Sequence, residues 1–113
     1  MGLVAYITAG DPSLEATEKI VLAAANAGAD VIELGVPFSD PVADGPTIQR
    51  ASDRALRSGT ALAGVIDLVR NIRGYSQVPL VLFSYSIRFC RWAWKNLRLQ
   101  QQPLVRMACS RPI

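Results

Sequence analysis

The 113-residue sequence predicts an α/β fold built on a parallel sheet, and three observations carry that prediction. Short β-branched apolar runs alternate with helical patterns in the order strand–helix–strand–helix–helix–strand, which gives parallel strands joined by crossovers. The strands are apolar on both faces, as expected where a sheet is covered on both sides. The second strand ends in a rigid, acidic loop, the kind of place where β/α proteins keep their chemistry. Such strands suit a β/α barrel or a doubly wound sheet. No G-x-G-x-x-G follows the first strand and no Walker loop occurs, which disfavours a nucleotide-binding sheet.

The first strand is expected at Leu3–Thr8 (L-V-A-Y-I-T), stopped by Ala9-Gly10-Asp11-Pro12. A helix follows. Asp11 or Ser13 can cap it, Pro12 is tolerated in its first turn, and Glu15 and Glu18 sit near the positive end of its dipole. Leu14, Thr17, Val21, Ala24 and Ala25 form its inner face, and Gly28 ends it. Ala29–Gly35 is the second strand. Thr47–Ser58 reads as a helix ended by Gly59, and Thr60–Arg73 as another, with Leu62, Val65, Ile66, Val69 and Ile72 as its stripe. Gly64 weakens that helix. Val78–Tyr85 (V-P-L-V-L-F-S-Y) is the third strand.

The chemistry concentrates in Asp30–Gln49. Glu33 lies between Ile32 and Leu34, and the loop after its strand carries Asp40 and Asp44 among Pro37, Pro41, Gly45 and Pro46. A carboxylate in an apolar strand beside an acidic loop suits acid–base work. The plainer reading is also open: Glu33 as a strand-end residue facing water, and Asp44-Gly45 as a turn dipeptide.

Composition narrows the function classes. The length suffices for one small domain with a core. No apolar run reaches the ~18 residues of a membrane span. Met1–Thr8 has no basic n-region and no cleavage site, so it does not read as a signal peptide, and a cytoplasmic location is expected. Cys90 and Cys109 give neither a metal spacing nor a disulfide framework, and histidine is absent, so no metal is expected. The net charge of +3 is split: residues 1–85 carry all nine acids and six bases, and residues 86–113 carry six bases and no acid. So sharp a shift marks a boundary at Tyr85/Ser86.

Y-I-T-A-G-D-P at 6–12, A-G-A-D-V-I-E-L-G-V-P-F-S-D-P-V-A-D-G-P-T-I-Q at 27–49 and V-P-L-V-L-F-S-Y at 78–85 closely resemble the alpha chain of tryptophan synthase. The resemblance covers Leu3–Tyr85 and implies the first three strands, with their helices, of an eight-stranded TIM (β/α)8 barrel. It implies a lyase that cleaves indole-3-glycerol phosphate to indole and glyceraldehyde 3-phosphate, a retro-aldol reaction of tryptophan biosynthesis that uses no cofactor. Glu33 matches the family carboxylate that moves a proton to the indole ring carbon. Burial between Ile32 and Leu34 is expected to disfavour its charged form and raise its pKa. Asp44 matches the loop carboxylate that meets the indole N–H. Tyr6 and Tyr85 match positions near the substrate, with strand-end packing as the competing role. The Pro37–Pro46 loop resembles the surface that meets the beta subunit.

The family also has a short helix before its first strand, where this sequence has Met1-Gly2, and its phosphate-binding residues follow later strands. A truncated chain, inactive alone, is therefore expected. Residues 86–113 lie outside the resemblance. Restoring one base near the Ser86 codon, with codons freely chosen, lets this tail encode a segment that continues the family pattern into a fourth strand, with A-G-A-D-G-V echoing residues 27–31. The single codons of Trp92, Trp94 and Met107 are compatible with it. The tail is expected to be frameshift-derived, and neither nucleic acid nor membrane is expected as a partner. Two other readings stand beside the lyase: a non-catalytic module for a beta subunit, and a basic, Trp-bearing tail that binds nucleic acid or a membrane surface.

Overall fold

The computed structural model describes residues 2–38, 45–84, 87–96, 98 and 104–109. Its elements are β1 (Val4–Thr8), α1 (Leu14–Asn26), β2 (Val31–Gly35), α2 (Pro46–Arg57), α3 (Leu62–Arg73), β3 (Leu80–Ser84), α4 (Ile87–Asn96) and β4 (Val105–Cys109). The strands form one parallel sheet in the order β1-β2-β3-β4, so each strand lies beside its neighbour in sequence. The α/β class and parallel sheet expected from the alternation are borne out.

Strand alternation sorts the side chains. Ile32, Leu34, Leu80, Leu82 and Val105 are fully buried or nearly so, in one cluster with Val21 of α1, the stripe of α3 and Ala93 of α4. On the other face the register aligns Tyr6, Glu33, Val81 and Arg106 in one row across all four strands. None of these four is buried, and Tyr6 is 39% exposed.

The helices form where the residue pattern places them. Ser13 caps α1, its Oγ accepting from the Ala16 amide at 3.1 Å, and Glu15 stands in the first turn. Gly28 ends α1 at φ 107°, a left-handed conformation that a side chain would disfavour. In α3, Leu62, Val65, Ile66, Leu68, Val69 and Ile72 are buried. A fully buried residue of this kind is worth about 1.5–3 kcal/mol, so this stripe is a principal source of stability. Gly64, which weakens α3 on propensity, sits where a Cβ would come within 2.8 Å of Leu14 Cδ1. Its missing side chain lets α1 and α3 approach.

Three elements start two residues later than expected, and β1 and α2 shift by one: strand β2 starts at Val31 and not at Ala29. Helix α3 starts at Leu62, because Thr60 belongs to the preceding loop: its amide bonds to Ala55 O at 3.1 Å and its hydroxyl lies 3.3 Å from Ser58 Oγ. Strand β3 starts at Leu80, after Pro79, whose carbonyl accepts from Ile32 N at 3.0 Å. Helix α4 and strand β4 lie in the basic segment after Tyr85, to which the sequence pattern assigns no element, and they bring Ala93 and Val105 into the core.

Candidate active site

The C-terminal ends of β1–β3 are where the sequence places the chemistry. Glu33 and Tyr6 are register partners on adjacent strands, so their side chains leave the sheet on the same face. Tyr6 then runs along β2 toward its C-terminal end. A Cβ built on Gly35 would fall inside the Tyr6 phenol, with Oη, Cζ and Cε2 as its nearest atoms. The ring therefore lies over Gly35, two residues past Glu33. Glycine inside a strand signals such a close approach, and that signal was present in the sequence.

The enclosure expected of Glu33 is not found. Ile32 and Leu34 are fully buried, but they point to the helix face, while Glu33 points away from them and is only half-buried. Sequence neighbours in a strand stand on opposite faces and cannot bury one another. Asp44 and Tyr85 lie outside the described residues, as does Asp40. Their described neighbours are Gly45, the N-cap of α2, and Ser84, buried at the end of β3.

A clasp that the sequence reading did not identify holds the loop after β1 against α2. Asp11 accepts two hydrogen bonds from Arg54, from Nε and Nη2, each at 2.9 Å. The Arg54 guanidinium holds the Asp11 carboxyl below its ordinary pKa, and the carboxylate raises that of Arg54 in return. Thr17, fully buried, accepts from Gly10 N at 2.9 Å and donates to Ser13 O at 2.8 Å. Ser58 donates to Gly10 O at 3.1 Å. Gly10 has φ 89°, and a Cβ there would collide with Thr60. The alternation pattern that finds helices says nothing about pairs 43 residues apart such as Asp11 and Arg54.

Beside the strand ends, an apolar cavity of about 410 Å³ is lined by Val36, Pro37, Phe38, Leu56, Thr60, Ala61, Leu62 and Ser84. Among the described residues no group of three or more Cys, Asp or Glu side chains could hold a metal ion, and no helix is long and apolar enough to cross a membrane.

A sequence model of the family described as tryptophan synthase alpha chain matches residues 1–105, past Tyr85 and into the basic segment. The tryptophan synthase alpha chain of Citrifermentans bemidjiense is 63% identical over 83 residues, 74% of this chain and 31% of the relative. That of Solibacter usitatus is 59% identical over 95 residues, 84% of this chain and 36% of the relative. A solved mutant tryptophan synthase alpha-subunit from the hyperthermophile Pyrococcus furiosus superposes with a TM-score of 0.77 at 42% identity, covering 85% of this chain and 39% of that one. The chain thus spans about a third of the length of the curated relatives it matches.

Proposed function

The chain belongs to the tryptophan synthase alpha chain family, and from that premise we propose that its strands carry the acid–base part of a lyase site for indole-3-glycerol phosphate. The reaction releases indole and glyceraldehyde 3-phosphate without a cofactor. Glu33 delivers a proton to the ring carbon that bears the glycerol side chain. Positive charge then builds on the ring nitrogen, and Asp44 offsets it. The hydroxyl on the adjoining side-chain carbon gives its proton to the carboxylate that Glu33 has become, as the carbon–carbon bond breaks, which yields the aldehyde and returns the ring to indole. Tyr6 and Tyr85 flank the ring. The Pro37–Pro46 loop faces a beta subunit, and the location is cytoplasmic.

The observation that carries this reading is the Tyr6–Glu33 pair on the sheet face away from the helices, with Gly35 leaving room for the phenol toward the C-terminal strand ends. In a β/α barrel that face is the interior and those ends are the active-site rim. A half-buried carboxylic acid beside an aromatic ring suits proton transfer to a flat aromatic substrate.

The test grafts residues 3–85 onto the later strands of a family alpha chain and compares Glu33→Gln and Asp44→Asn with the parent graft. Each substitution is expected to cut indole release about 10²–10⁴-fold with the circular dichroism unchanged. Near-normal cleavage by the Glu33→Gln barrel would remove Glu33 from the mechanism.

A further inference from the structure

Building on the lyase reading, we propose that Asp11 and Arg54 are positioning residues: their ion pair sets where Tyr6, and with it the aromatic ring of the substrate, lies. The pair takes no part in the acid–base chemistry and acts through the loop after β1. Arg54, in the third turn of α2, places Nε on Asp11 Oδ1 and Nη2 on Oδ2, each at 2.9 Å. Such a two-point fork fixes direction as well as distance. The Arg54 side chain is 54% exposed and that of Asp11 19%, and a pair so wetted contributes little to stability. Its geometry is the larger of its effects.

Gly10 joins the pair to the strand ends. Its N–H donates to Thr17 Oγ1 at 2.9 Å and its carbonyl accepts from Ser58 Oγ at 3.1 Å. At φ 89° it lies so close to Thr60 that a Cβ would collide. With both backbone groups partnered and the side-chain space filled, the loop takes its position from α2 and the turn that follows it. Ala9, fully buried, carries that position to the sheet, its N–H donating to Gly35 O at 2.9 Å. Gly35 is the residue over which the Tyr6 phenol lies, and Tyr6 is the register partner of Glu33. Helix α2 also contributes Leu56, and the turn after it Thr60, to the wall of the apolar cavity beside the strand ends.

Loosening the fork therefore displaces α2, the Gly10 loop and the Tyr6 ring together. Tyr6 flanks the substrate ring before and during the reaction, so its displacement weakens binding more than it slows the chemistry. A clasp that only stabilised the fold behaves differently: its loss lowers the folded fraction, which lowers kcat and leaves KM alone.

Two measurements test the assignment. The first labels the 113-residue chain with fluorotyrosine and reads Tyr6, Tyr75 and Tyr85 by fluorine NMR, with Tyr6→Phe identifying the Tyr6 signal. Arg54→Gln and Asp11→Asn are each expected to shift or broaden that signal. Asp67→Asn, which breaks the Asp67–Arg70 pair on α3, is expected to leave it in place. The second uses residues 3–85 grafted onto the later strands of a family alpha chain. There KM for indole-3-glycerol phosphate is expected to rise about tenfold in Arg54→Gln and in Asp11→Asn, with kcat within about threefold of the parent graft. The double variant is expected to be no worse than the worse single, because the two residues act as a unit. Arg54→Lys, which keeps the charge without the fork, is expected to fall between the parent and Arg54→Gln. Circular dichroism checks that each variant keeps the parent fold. An unmoved Tyr6 signal in both variants overturns the proposal, and so does a fall in kcat at unchanged KM. Near-normal cleavage by the Glu33→Gln graft fails the lyase reading instead and takes the substrate half of the proposal with it. The fluorine signal, read without substrate, still decides whether the pair positions Tyr6.

Discussion

Tyr6 and Gly35 share one volume: the phenol of β1 occupies the space that a side chain on β2 would need. This contact aims Tyr6 along the strands and keeps it above Glu33's strand end. Gly35→Ala is therefore expected to push the ring off β2 and to cost about 1–3 kcal/mol, the range for overpacking a well-filled site. Denaturant unfolding of Gly35→Ala, Tyr6→Ala and the double variant checks it. The double variant is expected to cost clearly less than the two singles combined, because removing the ring removes the collision. Additive costs would mean that the two positions do not touch.

The Asp11–Arg54 pair gives the stability a component on the acid side. Arg54 lowers the Asp11 pKa in the folded chain below the ordinary value of 3.8. A carboxyl whose folded pKa is depressed stabilises the fold above its unfolded pKa and loses that contribution as the pH falls through the folded value. The parent is thus expected to exceed Asp11→Asn in stability at neutral pH, and the gap to close below about pH 4. Both side chains retain contact with water, so the gap is expected to be small and to shrink in salt. Urea midpoints of the two chains, taken across the acid range at two ionic strengths, measure it. A gap that widens as the pH falls would reverse the assignment.

The stripe of α3 and the caps of α1 were legible because helical periodicity and Ser13 act within a few residues of chain. Thr60 was misplaced because its partners, Ala55 O and Ser58 Oγ, define a loop that propensity alone does not distinguish from a helix start. Glu33 was found by its position in the strand, but its surroundings were misjudged from Ile32 and Leu34, which share its sequence and not its face. The Asp11–Arg54 clasp carried no sequence signal, since its strength depends on where the loop after β1 meets helix α2. Tyr6 is singled out by the resemblance as a substrate-side position, with strand-end packing as the competing role. Its orientation depended on Gly35, a residue read only as the end of a strand.

Helix α4 and strand β4 test whether the basic segment was selected to fit this core. If its residues come from a shifted reading frame, Ala93 and Val105 occupy core positions by composition and not by selection. Amides of Trp92 and Trp94 are then expected to exchange with solvent nearly unprotected, while those of Val65, Ile66 and Val69 in α3 exchange slowly. Native-state hydrogen exchange of the 113-residue chain decides it. Protection in α4 equal to that in α3 would count against a frameshift origin. The nucleotide sequence downstream of the Tyr85 codon gives an independent check, since an open frame for further family strands is expected there.

A polypeptide of these 113 residues alone is expected to release little or no indole. A closed β/α barrel of this class ordinarily takes about 250 residues, and its interior is a packed core. In this structure the face that carries Glu33 is open, with Val4 55% and Tyr6 39% exposed. Water at that face weakens every electrostatic interaction that would steer a proton to the ring, because charge acts far more strongly in a dry site. Substrate positioning is the second deficit. Binding energy from a remote phosphate ordinarily holds the reacting ring in place, and among the described residues the strands on either side of Glu33 place Tyr6 and Val81 in its row, neither of them cationic, with Arg106 a further strand away on β4. The two deficits act on the same step. An assay of purified chain with indole-3-glycerol phosphate, alone and with a family beta subunit, is expected to read background, while the grafted barrel turns over. Robust turnover by the 113-residue chain that vanishes on Glu33→Ala would overturn this prediction. It would mean that Glu33 finds a dry, closed site in solution, which two chains closing on each other's open sheet face would supply, and sedimentation at the assay concentration would then show a dimer.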